Sequence, residues 1–305
     1  MKRARPFPAD ALPSCVLTLQ VARPAADAVA GRIRRAWGIE PVQVERPGAA
    51  SAWVEAFFKT ELEAALAARV LGRERSVQGV ALRGYSGRDW VSHVRRQFRA
   101  RNVGRRLRIV PAWERGAAPR GRVAIVINPG LSFGTGDHFT TRFCLEAVEE
   151  LAGRGRLGSF LDLGTGSAIL AVAAAKLGAR RVLGVDCDPQ AIAQARENVA
   201  LNRLARRVRL KVLDITAGAP AGTYDVVCAN LYGPVLVEAA PAIRRGVRGR
   251  LVVSGVREAE ADGVAEAYRA LGGRETVRDG DGEWCGLVFE FPERRVLTNG
   301  CARVR

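Results

Sequence analysis

The chain contains the stretch Leu161-Asp-Leu-Gly-Thr-Gly-Ser-Ala168, followed some twenty residues later by Gly184-Val-Asp-Cys-Asp-Pro189. A hydrophobic run leads into a glycine turn, the turn opens an alanine-rich segment, and a second hydrophobic run ends at Asp186. This order is typical of the nucleotide-binding half of a doubly wound α/β fold. Gly164 and Gly166 allow the backbone to turn sharply and to approach a ligand that a Cβ would exclude. The stretch therefore predicts an open, mostly parallel sheet with a nucleoside site at its edge.

Two acidic residues narrow the kind of ligand. Asp186 stands where a carboxylate accepts both hydroxyl hydrogens of a ribose; helix capping is the alternative, but Asp188 is better placed to cap before Pro189. Asp162 favours S-adenosylmethionine over a dinucleotide, because a sulfonium cation with an amino-acid tail needs no pyrophosphate-binding helix end. Its alternative role is to accept hydrogen bonds from loop amides. The turn has Ile169 where the dinucleotide fingerprint has its third glycine, which argues against an NAD oxidoreductase.

Composition limits the class of protein further. A chain of 305 residues with 48% hydrophobic residues has room for one large domain or two ordinary ones. No apolar run reaches the length of a membrane span, and we expect no membrane contact. The six cysteines are scattered without a C-x-x-C pair and there are two histidines, so we expect reduced thiols and no metal site in a cytoplasmic protein.

The net charge of +17 is unevenly distributed. Residues 1–120 carry 23 basic and 10 acidic side chains, or +13, whereas residues 121–305 carry 25 and 21, or +4. Arginine bias from a GC-rich genome is one explanation and a solvated basic face is another. A phosphate-binding surface that contacts RNA or the ribosome is the functional alternative. The densest run comprises Arg95, Arg96, Arg99, Arg101, Arg105, Arg106 and Arg108.

Periodicity divides the chain into four segments. Residues 1–85 alternate strand, helix, strand, strand, helix and strand, which predicts a small ferredoxin-like α+β domain; its first helix is expected over residues 27–37 and its third strand over residues 51–58. Residues 86–120 form a basic connecting segment, with a helix expected from Ser86 onward and a strand over residues 107–113, and residues 293–305 form a tail. Residues 121–292 alternate strands and helices as a doubly wound fold does, with one helix expected over residues 233–243. In such a fold the carboxyl ends of the parallel strands line one crevice, so we expect four positions to converge there: Gly164, Asp186, Asp214 and Asn230.

Two further stretches carry a family resemblance. They are Asn128-Pro-Gly-Leu-Ser-Phe-Gly-Thr-Gly-Asp-His-Phe-Thr-Thr141 and Asn230-Leu-Tyr-Gly-Pro-Val-Leu236, supported upstream by Arg88-Asp-Trp90 and Leu107-Arg-Ile-Val-Pro-Ala-Trp113. Together they resemble the ribosomal protein L11 methyltransferase family and related protein-lysine methyltransferases.

The resemblance implies an N-terminal substrate-recognition domain and a catalytic domain with a seven-stranded, Rossmann-like sheet that uses S-adenosylmethionine. It implies methylation of amines, both lysine side chains and the N-terminus, of a ribosomal protein. It places Thr141, Gly164, Asp186 and Asn230 on the cofactor-contacting positions of the family. The sequence departs from the family at Ala168, which replaces a glycine, and at Tyr232, which replaces a small or aliphatic residue.

Other site roles remain alternatives. Asp214 contacts the adenine amine or is an exposed loop carboxylate, and Gly166 belongs to the cofactor turn. Asn230 holds the cofactor, steers the incoming amine or simply forms a turn. His138 is a catalytic base or a structural histidine. Three aromatic residues either wall an amine channel or belong to the core: Phe133, Phe139 and Tyr232.

Three functional hypotheses follow. The first is a protein amine methyltransferase that acts on a ribosomal protein. The second is a methyltransferase of RNA or of a small molecule on the same fold, for which the arginine run is the main support. The third is a catalytically silent ribosome- or RNA-binding protein, against which the intact glycine turn and acidic residues argue.

Overall fold

A computed structural model of the chain describes residues 15–39, 41–45, 50–84, 98–114, 119–128 and 138–292. The chain divides into two compact units, Met1–Gln97 and Phe98–Arg305. This division lies inside the segment 86–120 that the sequence suggested as a connection. Residues from Phe98 onward therefore belong to the larger unit rather than to a separate linker.

The first unit has the predicted ferredoxin-like order of elements. Its strands pair antiparallel in the order β2-β3-β1-β4. Alternate side chains of β1 and β3 are buried under the two helices, as the period of a half-buried strand requires. The elements are β1 (Cys15–Ala22), α1 (Ala26–Trp37), β2 (Val42–Glu45), β3 (Ser51–Phe58), α2 (Glu61–Leu71) and β4 (Val77–Gly84).

The second unit opens with a three-stranded sheet. Strands β5 (Arg101–Val103) and β6 (Leu107–Pro111) form a hairpin, and β7 (Val123–Ile127) pairs parallel to β6. Only β6 of these three strands was predicted from the sequence. The helix expected from Ser86 onward falls largely outside the described residues.

The second unit is built around a seven-stranded sheet in the order β10-β9-β8-β11-β12-β14-β13. All neighbouring pairs are parallel except those of β14, which runs antiparallel to β12 and β13. This is the predicted mostly parallel, doubly wound sheet. Its strands are β8 (Ser159–Leu163), β9 (Arg181–Asp186), β10 (Val208–Val212), β11 (Tyr224–Asn230), β12 (Val247–Arg257), β13 (Arg274–Gly280) and β14 (Trp284–Glu290).

Six helices cover the two faces of this sheet. Alternation along β8 illustrates the division, because Phe160 joins one apolar core and Leu161 the other. The first core contains the three helices α3 (Phe139–Gly153), α4 (Ile169–Lys176) and α5 (Pro189–Leu201), and the second contains α6 (Gly233–Glu238), α7 (Ala240–Gly246) and α8 (Ala261–Ala270).

Two local details differ from the sequence prediction. The helix expected over Gly233–Ile243 is broken into α6 and α7, since Ala239 ends one helix and Pro241 lies in the first turn of the next. Strand β13 was missed because it is an exposed, charge-rich edge strand without hydrophobic alternation. Within the described residues, no helix is long and apolar enough to cross a membrane.

Candidate active site

The glycine turn joins β8 to α4 through three residues with left-handed backbone. Gly164, Gly166 and Ala168 have φ values of +67°, +49° and +61°. A Cβ at position 164 would lie 2.4 Å from Cδ2 of Leu231, so a larger residue there would have to displace that side chain in a backbone conformation that favours glycine. Ala168 adopts the same conformation with a side chain, at a cost of about 1–2 kcal/mol. The turn geometry thus persists although the third glycine of the family pattern is absent.

Asp186, at the end of β9, is bonded to the turn. Its Oδ2 accepts a hydrogen bond from the Gly166 amide at 2.9 Å, and its Oδ1 accepts from the Asp188 amide at 3.0 Å. Helix capping falls to Asp188, whose Oδ1 accepts from the Gln190 amide at 2.8 Å at the start of α5. Asp186 is therefore not the cap, and each of its oxygens retains a lone pair.

Asp162 is almost completely buried beneath the turn, with 1% of its surface exposed. Its Oδ2 accepts hydrogen bonds from the Thr165 hydroxyl at 2.7 Å and the Ala171 amide at 3.1 Å. Within the described residues, its Oδ1 is buried without a hydrogen-bond partner. Burial raises the pKa of Asp162 to about 7, against the lowering effect of the two hydrogen bonds. The Oδ2 thus accepts hydrogen bonds from the turn and the start of α4, which is the structural alternative for Asp162. The Oδ1 is left as an acceptor for a ligand.

Asp214 lies beyond the end of β10 and is exposed. Its Oδ1 accepts from the amide and the hydroxyl of Thr216, at 2.9 and 2.7 Å, and these bonds lower its pKa. The Leu213 amide donates to the Asp186 carbonyl at 2.8 Å, which brings the Asp214 loop beside Asp186. Asp214 therefore stabilises its own turn at the edge of the candidate site.

Asn230 ends β11 and meets the start of α3. Its Nδ2 donates to the Thr141 hydroxyl over a long 3.5 Å, and Thr141 itself is 1% exposed. Among the described residues, the Asn230 Oδ1 is buried and has no hydrogen-bond partner. A buried amide oxygen without a partner is costly, about 1–3 kcal/mol, so this oxygen is a candidate acceptor for a ligand donor.

Gly255 was not singled out from the sequence, yet it borders Asn230. Its φ is +80°, and a Cβ there would lie 2.6 Å from the Leu231 carbonyl oxygen and 3.0 Å from the Asn230 Oδ1. Strand β12 shifts register between Val253 and Val256, at this glycine. A glycine inside an apolar strand indicates a bulge or a close backbone approach, and that is how it could have been found.

His138 is the N-cap of α3. Its Nδ1 lies 2.9 Å from the Thr140 hydroxyl and 3.4 Å from the Thr140 amide, and its ring packs edge-on to Trp284 at 4.9 Å. A ring nitrogen that accepts from the helix end favours the structural alternative. Thr141 lies in the first turn of the helix that His138 caps.

Two buried asparagines that the sequence analysis passed over connect the glycine turn to the segment before the Asn128–Thr141 loop. Asn198 donates to the Ser167 carbonyl at 2.9 Å and accepts from the Asn128 amide at 2.7 Å. One helical turn later, Asn202 accepts from the Val126 amide at 2.9 Å. Asn198 lies on the buried face of α5 and Asn202 is the buried residue that caps its carboxyl end, and a buried polar pair four residues apart is unusual.

The aromatic residues considered for an amine channel differ in their burial. Phe139 is 8% exposed, belongs to the first core and stacks on Phe143, so an amine channel cannot be walled by its ring. Tyr232, at the start of α6, is 62% exposed and remains available. Phe133 lies outside the described residues, as does most of the loop that contains it.

The predicted residues therefore meet along the carboxyl ends of four adjacent strands, β11, β8, β9 and β10. Three strand spacings of about 4.8 Å make this edge roughly 14 Å long. It offers a glycine-lined backbone, two carboxylates and an amide oxygen without a partner, which suits an elongated, cationic nucleoside such as S-adenosylmethionine. The fold and this edge define a class I S-adenosylmethionine-dependent methyltransferase.

Comparison with known proteins narrows the class. A family model described as Ribosomal protein L11 methyltransferase (PrmA) matches residues 26–292. Relatives of that name from Pelobacter propionicus and Geobacter metallireducens are 44% and 40% identical over 214 and 205 residues, covering 68% and 66% of this chain and the same shares of the relatives. A crystal structure of ribosomal protein L11 methylase from Lactobacillus delbrueckii subsp. bulgaricus is 28% identical, with a TM-score of 0.57, and covers 63% of this chain and 97% of that one.

The chain belongs to the ribosomal protein L11 methyltransferase family. This membership confirms the resemblance inferred from the two stretches around Asn128–Thr141 and Asn230–Leu236. It makes the chain an S-adenosylmethionine-dependent protein methyltransferase, as expected.

Proposed function

We propose that this enzyme transfers methyl groups from S-adenosylmethionine to amines of ribosomal protein L11, on lysine side chains, the N-terminus or both. The observation that carries the proposal is the Asn230 amide. Its buried Oδ1 has no partner among the described residues and lies where a Cβ on Gly255 would approach it to 3.0 Å. An amine nitrogen is a donor that this acceptor can orient.

We propose that different residues around the turn contact different parts of the cofactor. We assign the ribose hydroxyls to Asp186, whose orientation is fixed by the Gly166 and Asp188 amides. We assign the cationic methionine end to the neighbourhood of Asp162 and Thr141, where the buried Asp162 Oδ1 is an acceptor. We propose that Gly164 lets the cofactor approach the backbone closely, and that Asp214 lies at the adenine end of the cofactor.

The chemistry needs positioning more than covalent participation by the chain. The cofactor supplies an activated methyl group on its sulfonium, and the acceptor nitrogen must present a lone pair to it. A lysine amine has a reference pKa near 10.4 and must first lose a proton. Desolvation at the buried end of β11 lowers that pKa, and the Asn230 Oδ1 orients a remaining N–H.

We propose that His138 acts by positioning rather than as the base. As N-cap of α3 it holds the first helical turn that carries Thr141, the partner of Asn230. A neutral imidazole that accepts at Nδ1 has its remaining proton on Nε2, and so is not poised to take a proton through the atom that caps the helix.

The proposal is tested by incubating the enzyme with isotopically labelled S-adenosylmethionine and either free ribosomal protein L11 or intact ribosomes. We expect label in the protein, on amines located by peptide mass spectrometry, with Asn230→Ala as the inactive control. Label in RNA would establish the second hypothesis instead. Failure of calorimetry to detect any cofactor binding would leave only a silent binding protein.

Contact with the ribosome through the arginine run is a further part of the proposal. Among its described members, Arg99, Arg105 and Arg106 are exposed, whereas Arg101 is half-buried over the Phe98 ring at 5.3 Å and Arg108 donates to Asn102. We propose that the three exposed arginines attract the anionic particle. We also infer a cytoplasmic location, where a ribosomal protein substrate is made.

A further inference from the structure

The charges of the catalytic unit are sorted between the two edges of its seven-stranded sheet. Five segments lead from a helix into a parallel strand at the amino edge: residues 154–158, 177–181, 202–207, 244–250 and 271–274. None of them contains an aspartate or a glutamate. We call their basic residues the amino-edge rim: Arg154, Arg156, Arg180, Arg181, Arg203, Arg206, Arg207, Arg244, Arg245, Arg248, Arg250 and Arg274.

The opposite edge has the reverse composition. The connections that follow the strands at the carboxyl edge contain no lysine or arginine; they are residues 164–168, 187–188, 213–223, 231–232, 258–260 and 281–283. Among the last residues of the strands that lead into them, one is basic, Arg257, and it pairs with Glu283 at 2.6 Å. A genomic preference for arginine codons raises the arginine content of the whole chain, so it does not explain a difference between two edges of one sheet. The separation is therefore a property of the fold, and it places the basic rim on the edge away from the candidate cofactor site.

Helix dipoles account for part of this separation only. The helices that precede these strands end at the amino edge, and a cation near a helix carboxyl end gains about 0.3–1 kcal/mol. That effect falls off within the last turn. Arg180, Arg206 and Arg248 lie beyond their helices, in the connections or in the strand itself, so dipole compensation does not explain them.

Among the described residues, three acidic side chains pair with the rim. Arg248 pairs with Asp225 at 3.2 Å, Arg154 pairs with Glu150, and Glu290 is shared by Arg250, Arg274 and, at 3.9 Å, Arg156. Apart from the largely buried Arg250, the arginines of these pairs are exposed or half-exposed, so the pairs contribute little to stability and leave part of the charge available to a stronger anion.

Other rim arginines are held by neutral groups. Arg181 donates to the Thr223 carbonyl at 2.7 Å and lies over the Tyr224 ring at 4.6 Å, and Arg207 donates to the Ala179 carbonyl at 2.9 Å. A carbonyl or a ring orients a guanidinium without cancelling its charge. These side chains are thus fixed in position while their positive charge is retained.

We propose that the amino-edge rim binds RNA through its phosphate backbone, without base specificity. From β10 to β13 the rim follows six strand spacings, roughly 29 Å, which is long enough for several phosphates. Arginine suits this partner because its guanidinium binds phosphate in a bidentate manner and stacks on bases. The rim is independent of the methyl acceptor, so the enzyme can be tethered to RNA while the carboxyl edge stays open.

The test is fluorescence anisotropy of the full chain with a labelled single-stranded RNA of mixed sequence, over a range of salt concentrations. The rim variant replaces three exposed arginines by glutamine: Arg180, Arg206 and Arg245. The matched control removes the same charge from the first unit, at Arg69, Arg73 and Arg75. Circular dichroism establishes that both variants are folded.

We expect the rim variant to bind about tenfold or more weakly, and the slope of log K against log salt to become shallower by about 2. The control is expected to change binding by less than about threefold. Equal losses in the two variants would show that net charge alone attracts RNA and would overturn the proposal. It would also be overturned if the chain bound phosphatidylserine vesicles but no RNA.

Discussion

The backbone amide of Gly166 donates a hydrogen bond of 2.9 Å to Oδ2 of Asp186. This bond joins the glycine turn after β8 to the carboxyl end of β9, so a single carboxylate fixes the turn and still retains a lone pair on each oxygen. Because Asp188 supplies the cap of α5, Asp186 does not cap the helix. The relationship connects two parts of the sequence that are twenty residues apart.

Replacing Asp186 by Asn should weaken cofactor binding by tenfold or more. The amide keeps one acceptor oxygen but loses the charge and the second acceptor, and a hydrogen bond to a charged group contributes about 1.5–3 kcal/mol. Calorimetric titration with S-adenosylmethionine measures the change. Glu197→Gln is the matched control, since that carboxylate is exposed on α5, and a change below about threefold is expected. Comparable losses in both variants would contradict the assignment of the ribose to Asp186.

The stability of the protein should fall as the pH rises from about 4 to about 7 because of Asp162. Its folded pKa of about 7 exceeds the reference value near 3.9, so the folded state binds more protons between these values and stability declines with pH. Above pH 7 this contribution is constant. Thermal unfolding of wild type and Asp162→Asn across this range measures this contribution. The difference between their free energies of unfolding is expected to change by on the order of 4 kcal/mol from pH 4 to pH 7. A pH-independent difference would exclude a protonated Asp162.

Cofactor binding should release a proton near pH 6.5 if the cationic methionine end lies close to Asp162. A nearby positive charge favours the carboxylate and lowers its pKa. Calorimetry in two buffers of different ionisation enthalpy measures the released proton. The release is expected to disappear in Asp162→Asn, and an unchanged release in that variant would assign it to another group.

Replacing Asn230 by Ala should lower kcat by about a hundredfold or more, through loss of the orientation of the amine, while the variant stays folded. Thr141→Val is the informative companion, because it removes the partner of the Asn230 Nδ2 but leaves the Oδ1 in place. We expect it to retain more activity than Asn230→Ala. Full turnover of Asn230→Ala at saturating cofactor and substrate would refute the orienting role.

Gly255→Ala should destabilise the protein by about 2 kcal/mol or more, because the new methyl group meets the Leu231 carbonyl in a backbone conformation that favours glycine. Urea unfolding measures the loss. Gly263→Ala is the control, since a Cβ on that position of α8 meets nothing within 4 Å, and alanine there should be neutral or stabilising. Equal stabilities for the two variants would mean that β12 relaxes to accept the side chain.

Variants of His138 should show whether this residue acts as a catalytic base or as a helix cap. Asparagine is a strong N-cap and cannot act as a base at neutral pH, so His138→Asn should keep activity within about threefold and an unchanged pH profile, whereas His138→Ala should lose about 1 kcal/mol of stability. Initial rates from pH 6 to pH 9 and thermal unfolding are the measurements. A large loss of kcat in His138→Asn with normal stability would restore the role of His138 as a base.

Local patterns predicted most of the architecture. The alternation in Ser51–Phe58 and the helical spacing in residues 27–37 depend on neighbouring residues, and both elements form as expected. The strands β5, β7 and β13 and the break between α6 and α7 were missed. A short helix interruption and a charged edge strand carry little hydrophobic periodicity, so neither is visible without the neighbours that stabilise it.

The sequence by itself determined that a glycine turn and four strand ends would meet at one edge, since parallel strands leave no other arrangement for their carboxyl ends. Only the tertiary structure decided what each side chain does there. It gave the helix cap to Asp188, buried Asp162 with one free oxygen, and placed Gly255 against Asn230. It also sorted the arginines to the far edge of the sheet. These are relations between residues distant in the chain, and burial and hydrogen bonding across such distances exist only once the chain has folded.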